Sequence, residues 1–229
     1  MKNKINIKYC MKKYVAICFI FVIVCVFIVF FSGGLKRVLI ANMSDLRTTY
    51  YVGSCDEFYC TISCGVRENN YIYDGNSTSK VDCGVVSLEF YDNNNNNFIM
   101  ADISIDGKII EIILEKSPYE NKYMADLGFR IEDDSDVVMS LKNSKDETRF
   151  FCVSKNWKID FNRALVIGYE KFFDTIKGLY YNKKLHCEGY LIPISNIDYK
   201  TVFWYFSIID TFGNIYNILI DVNSGDIII

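Results

Sequence analysis

The chain has 229 residues, 51% of them hydrophobic and 23% charged, with 25 Lys and Arg, 28 Asp and Glu and a single histidine. Five of the lysines and none of the acids lie in the first 32 residues, which leaves 20 basic and 28 acidic groups in the rest, a net of −8. An acidic body without basic clusters argues against nucleic acid as a partner, and one histidine excludes His-Glu-x-x-His and two-histidine metal sites.

Lys2, Lys4, Lys8, Lys12 and Lys13 precede an uncharged run from Tyr14 to Phe31. As a helix rising about 1.5 Å per residue this run spans roughly 27 Å, close to the ~30 Å hydrocarbon core of a bilayer. The expectation is a basic cytoplasmic tail over 1–13, a transmembrane helix over 14–32 serving as a signal-anchor, and everything beyond it outside the cytoplasm at the cell membrane. A cleaved secretory signal shares this order of features, but the apolar core exceeds the usual ~7–15 residues, and Ser32-Gly33-Gly34-Leu35 offers no clean small-x-small site. Cys18 and Cys25 follow Ile17 and Val24 rather than small residues, so they read as apolar filler and not as lipidation sites.

After a linker over 33–46, short β-type runs fill 47–154. Tyr50 to Cys64, Val81 to Tyr91, Phe98 to Ile105, Lys108 to Glu115, Val137 to Leu141 and Thr148 to Val153 are the predicted strands. Asp106-Gly107 stands between two β-branched runs and predicts a two-residue type I′ hairpin. Asp92 to Asn97 reads as a solvated loop. Six short strands in this span predict a β-sandwich-like domain.

From 155 to 229 the pattern is one helix and then strands, an α+β module. Asp160 is a plausible N-cap, Phe161, Ala164, Leu165, Gly168, Phe172 and Ile176 recur at helical spacing, and Lys177-Gly178 provides an ending. Leu185 to Ile194, Val202 to Asp210, Ile215 to Val222 and Ile227 to Ile229 are the strands to be covered. The aromatic run Phe203, Trp204, Tyr205 and Phe206 suggests a binding platform, but Trp204 and its neighbours at strand spacing read as core on the buried face. The helix, the Phe203-Trp204-Tyr205-Phe206 strand and the closing Asp221-x-x-x-Gly225-Asp226 sequence together resemble a PepSY-type module. The resemblance covers about the last 70 residues. It implies a small envelope domain with no catalytic residues of its own, and a peptidase as the kind of partner such modules restrain.

No catalytic constellation emerges from the remaining residues. His186 lies in a predicted strand beside Cys187, which points to the opposite face. Cys55, Cys60, Cys64, Cys83, Cys152 and Cys187 admit disulfides, free buried thiols, or a zinc site using the first four. On one straight strand Cys60 and Cys64 stand ~13 Å apart and cannot bond each other, which leaves Cys83 as a partner for one of them. The zinc reading lacks paired Cys-x-x-Cys knuckles. Asp221 to Asp226 lacks the glycine and glutamate positions of an EF-hand and reads as a turn. Asn76-Ser77-Thr78 is a bare glycosylation sequon, and Asp133-Asp134 reads as a solvated loop rather than a glycosidase pair. No catalytic, cofactor or metal residue is therefore assigned. The function expected is that of a membrane-anchored extracytoplasmic protein that binds a protein or peptide partner in the cell envelope, a peptidase being the partner the resemblance suggests. The alternatives are an envelope hydrolase using acidic or cysteine residues, and a structural tether.

Overall fold

Alternation of apolar and polar positions puts more than half of the described residues into strands. The computed structural model describes residues 34–69, 78–92, 94, 96–118, 121–142, 144, 147–195 and 201–228. The strands are β1 (Met43–Ser54), β2 (Phe58–Glu68), β3 (Lys80–Phe90), β4 (Phe98–Ile105), β5 (Lys108–Lys116), β6 (Tyr123–Asp126), β7 (Val137–Leu141) and β8 (Glu147–Cys152), followed by β9 (Tyr180–Tyr181), β10 (Lys184–Leu185), β11 (Cys187–Ser195), β12 (Val202–Asp210), β13 (Ile215–Asp221) and β14 (Ile227–Ile228). Two helices, α1 (Phe161–Lys171) and α2 (Phe173–Gly178), lie between β8 and β9. Residues 34–41 are helical, and residues 42–229 form one compact unit.

The first eight strands close on themselves in the order β1-β2-β3-β6-β5-β4-β7-β8, and β8 returns to β1 through Tyr51↔Cys152 and Val52↔Phe151. Every pairing in this ring is antiparallel. The domain is therefore a closed eight-stranded barrel and not the expected β-sandwich. Alternation reports that each strand buries one face, and that face can meet a second sheet or the inside of its own sheet with the same pattern. Tyr51, Phe58, Ile62, Val86, Leu88, Ile103, Leu114, Met139 and Phe150 fill the interior. Ile131, from the segment between β6 and β7, joins them, and the Tyr51 hydroxyl donates to the Glu132 carbonyl.

The predicted strand from Tyr50 to Cys64 is in fact parts of two, turned at residues 55–57, and β6 was not foreseen. The hairpin at Asp106-Gly107 forms with φ of 51° and 83° at its two turn residues, the positive values a type I′ turn requires.

Strand β1 has three neighbours in one twelve-stranded sheet. From Asp45 to Ser54 it pairs with β2, its C-terminal part meets β8, and its N-terminal part runs parallel to β11 through Met43↔Gly189, Asp45↔Tyr190 and Leu46↔Leu191. From there β12, β13 and β14 continue the same sheet antiparallel. The last strands are thus an extension of the barrel's sheet, not the separate α+β PepSY-like domain expected. Helix α1 begins at Asp160, whose carboxylate accepts from the Arg163 N–H at 2.8 Å. It packs on the face carrying Trp204 and Phe206, and a side chain at Gly168 would overlap the Phe206 ring. The Trp204 indole donates to the Ile159 carbonyl at 2.8 Å.

The predicted transmembrane helix over 14–32 lies outside the described residues. Among the described residues no helix is long and apolar enough to cross a membrane.

Candidate binding site

Period-two alternation gives the strands that build the barrel core a second, outward row. On β2 it is Tyr59, Thr61 and Ser63, on β3 Val85, Ser87 and Glu89, and on β1 Arg47 and Tyr50 join it. Beyond Leu191, β11 leaves β1, and Ile192 to Ser195 face this wall across a cavity of about 340 Å³. Arg47 lies on its edge with its charge already answered. Its guanidinium donates to the Asp45 carboxylate at 3.0 and 2.6 Å and to Ser63 Oγ at 2.9 Å. Burial pushes the Tyr50 and Tyr59 hydroxyls up, so both stay protonated.

A second cavity of about 530 Å³ covers the face of β11–β13 opposite α1. Tyr190, Ile192, Tyr205, Ser207, Ile209 and Ile215 line it. Ile192 lines both cavities, so the two bays of this cleft region adjoin there. A polar row crosses this face through the pairings Asp45↔Tyr190, Tyr190↔Ser207 and Ser207↔Asn217. The next row, Ile192↔Tyr205↔Leu219, is apolar and aromatic. Ser207 is 1% exposed, and its Oγ has no hydrogen-bond partner among the described residues. At the rim, Asp210 accepts from the Phe212 and Asn214 N–H groups and from Asn214 Nδ2, at 2.8 to 2.9 Å. The Asn214 side-chain amide, with the turn's N–H groups, holds the Asp210 carboxyl below the usual carboxylate range.

The arrangement combines aromatic faces, hydroxyls and a neutralised guanidinium. With Glu89 and Lys122 also on the lining, it can offer a ligand hydrogen bonds and aromatic contact, and brings no nucleophile together with a base among the described residues. Compared with known proteins, the chain matches no family model, no curated protein and no solved structure. The PepSY resemblance rests on the residues that carry it. Of those, Asp221 closes a tight turn: its carboxylate accepts from Asn223 and Ser224 N–H at 2.8 Å, its carbonyl accepts from Gly225 N–H at 2.9 Å, and Gly225 takes φ 81°.

The cysteines do not converge. Cys60 and Cys64 point into the barrel core. Cys83 pairs with Gly65 while Gly84 opposes Cys64, so Cys83 is one residue out of step and turns to the other face. All six thiols are free. Among the described residues no group of three or more His, Cys, Asp or Glu could hold a metal ion. Burial pushes the Cys60 thiol up, Cys64 and Cys83 up to about 11 and Cys187 up to about 12, which suppresses thiolate nucleophiles at neutral pH. His186 stacks on Tyr181 with ring centroids 3.7 Å apart, and its Nε2 has no partner among the described residues. Asp133 and Asp134 are exposed in a turn, and Asn76 and Ser77 of the sequon lie outside the described residues. Of the Asn-rich loop, Asn94 and Asn96 offer carbonyls to the Tyr123 hydroxyl at 3.0 and 2.8 Å, which pins the loop to β6.

The sequence reading passed over Arg47, Tyr50, Tyr59, Tyr190 and Ser207. Their only local signal is alternation, which marks an outward face without saying that anything stands across from it. Of the aromatic run, Trp204 and Phe206 are buried, whereas Tyr205 lines the cleft.

Proposed function

We propose that this protein is a binding module that takes a segment of a protein or peptide partner into the two-bay cleft and does no chemistry on it. One observation carries the reading: two concave bays that adjoin at Ile192, walled by the largely buried Tyr50, Tyr59 and Tyr190 and by Tyr205, together with serine and threonine hydroxyls. Tyrosine supplies large, stiff contact area with a hydrogen-bonding tip, and hydroxyls adapt to a peptide backbone. The second bay has the volume of a small-ligand pocket, so one or two partner side chains fit there as anchors. The lysine-rich start and the apolar run to Phe31 support an extracytoplasmic setting at a membrane.

The test is site-specific photocrosslinking in membranes of the producing cell. A photoreactive residue at Tyr205 or Thr61 should yield a discrete adduct with a partner polypeptide, and one at Lys183, on the β9–β10 turn, should not. An identical adduct pattern at all three positions refutes the cleft as the binding surface.

A further inference from the structure

Strand β5 is paired along one side and nearly bare along the other. Its hairpin partner β4 faces it from Ile105↔Lys108 to Phe98↔Glu115, but β6 meets only Glu115 and Lys116. In a two-residue hairpin the pair flanking the loop is a hydrogen-bonded one, so Lys108, Ile110, Ile112 and Leu114 spend their backbone groups on β4. The Lys116 N–H, donating to the Asn97 carbonyl at 3.0 Å, keeps the same parity. Ile109, Glu111 and Ile113 therefore turn their N–H and C=O groups to the open side, where β6 gives them no ladder partner among the described residues.

These groups recur every second residue, about 6.8 Å apart, a spacing that another extended backbone matches. The side chains of the same residues stand outward, with Ile109 69% and Ile113 54% exposed. Met100, opposite Ile113, and Met124, opposite Glu115, widen the apolar strip. Between the isoleucines, Glu111 faces Asp102, and both carboxylates share Lys142, at 3.1 and 2.6 Å. One cation against two acids leaves the strip negative, and Glu115 adds to that. No proline or bulge guards the edge from Lys108 to Ile113, although edge strands usually carry such protection.

We infer that the β5 edge from Ile109 to Ile113 is a strand-addition site for an extended segment of a partner protein, with apolar side chains opposite Ile109 and Ile113 and a lysine or arginine opposite Glu111. Unpaired main-chain groups supply affinity, and the alternating Ile-Glu-Ile strip supplies selection. A second copy of this chain is the poorer occupant, because each body carries a net −8 and full pairing centred on Glu111 sets two glutamates opposite each other. The inference does not rest on the cleft, with which the strip shares only Met124.

The probe is the blocked heptapeptide Thr-Val-Thr-Lys-Thr-Val-Thr, titrated against the full chain by fluorescence anisotropy. Expected are about fivefold weaker binding when its Lys is replaced by Glu, and at least about tenfold weaker binding when the backbone amides that would face β5 are N-methylated. Glu111→Pro removes an N–H that β4 does not use, so circular dichroism stays native while binding is lost. Glu111→Lys keeps the backbone and reverses the preference between the Lys and Glu peptides. Absence of binding by either peptide, equal binding of the N-methylated probe, or an unchanged preference in Glu111→Lys overturns the inference. A concentration-dependent dimer in sedimentation that Glu111→Pro abolishes overturns the choice of partner in favour of a second copy.

Discussion

Replacing Gly65 by alanine probes the crossing where the barrel gives rise to the binding cleft. Gly65 pairs with Arg47 just before the bulge at Arg47/Thr49 that shifts the β1–β2 register. A Cβ at this position would lie 1.9 Å from the Leu46 carbonyl oxygen, 2.6 Å from Arg47 Cα and 2.8 Å from the Leu46 carbonyl carbon. All three are backbone atoms, so no rotamer relieves the overlap, and ordinary contact near 3.4 Å requires β1 to retreat by about 1.5 Å. That retreat breaks two or three ladder hydrogen bonds at about 1 kcal/mol each, and overpacking adds about 1–3 kcal/mol. Alanine's lower backbone entropy returns less than about 1 kcal/mol. The expected loss is about 3–5 kcal/mol, or roughly 6–20 °C in melting temperature at about 2–4 °C per kcal/mol for a chain of this size. Because Arg47 lines the polar bay, the photocrosslinked adduct at Thr61 should weaken as well. Thermal unfolding followed by circular dichroism measures the first effect, with Gly107→Asn as control. Gly107 has φ 83° and open space where a Cβ would stand, and asparagine tolerates that conformation, so the control should cost under about 1 kcal/mol. A Gly65→Ala protein that melts within about 2 °C of the native one refutes the reasoning, since the bulge would then be compliant.

Thiol labelling of the folded protein with a maleimide should modify Cys55 and Cys152, which are partly exposed, well before the buried Cys60, Cys64, Cys83 and Cys187; mass spectrometry showing Cys60 or Cys187 labelled as fast as Cys55 contradicts the assigned burial. Asp210 tests linkage at the cleft rim. Its carboxyl is depressed in the folded state, so the stability it contributes is present above the ordinary carboxylate range and is lost as pH falls through the lower folded value. Asp210→Asn should be less stable than the native protein at neutral pH and should lose less stability between about pH 5 and pH 2; denaturant midpoints that fall in parallel for both proteins across that interval argue against the assignment.

Several elements were legible because their causes are local. Asp106-Gly107 supplies the positive φ its turn needs, Asp160 caps α1 with its own carboxylate, and Trp204 and Phe206 alternate with their neighbours on β12. Such features depend on residues within a turn or two of each other. Closure of the barrel depends instead on Tyr51 and Val52 meeting Cys152 and Phe151 a hundred residues later, which alternation cannot encode because it is the same for a sandwich. The register that separates Cys83 from Cys64 and the bulge at Arg47/Thr49 are also long-range, and a one-residue shift reverses which face a side chain occupies. Composition and periodicity by themselves determined that this is an acidic, strand-rich chain with one histidine and no local catalytic motif. Only the tertiary structure decided that β1 is shared between a closed barrel and a second run of strands, and that sharing sets Tyr50 and Tyr59 across from Ile192 and leaves the edge of β5 bare.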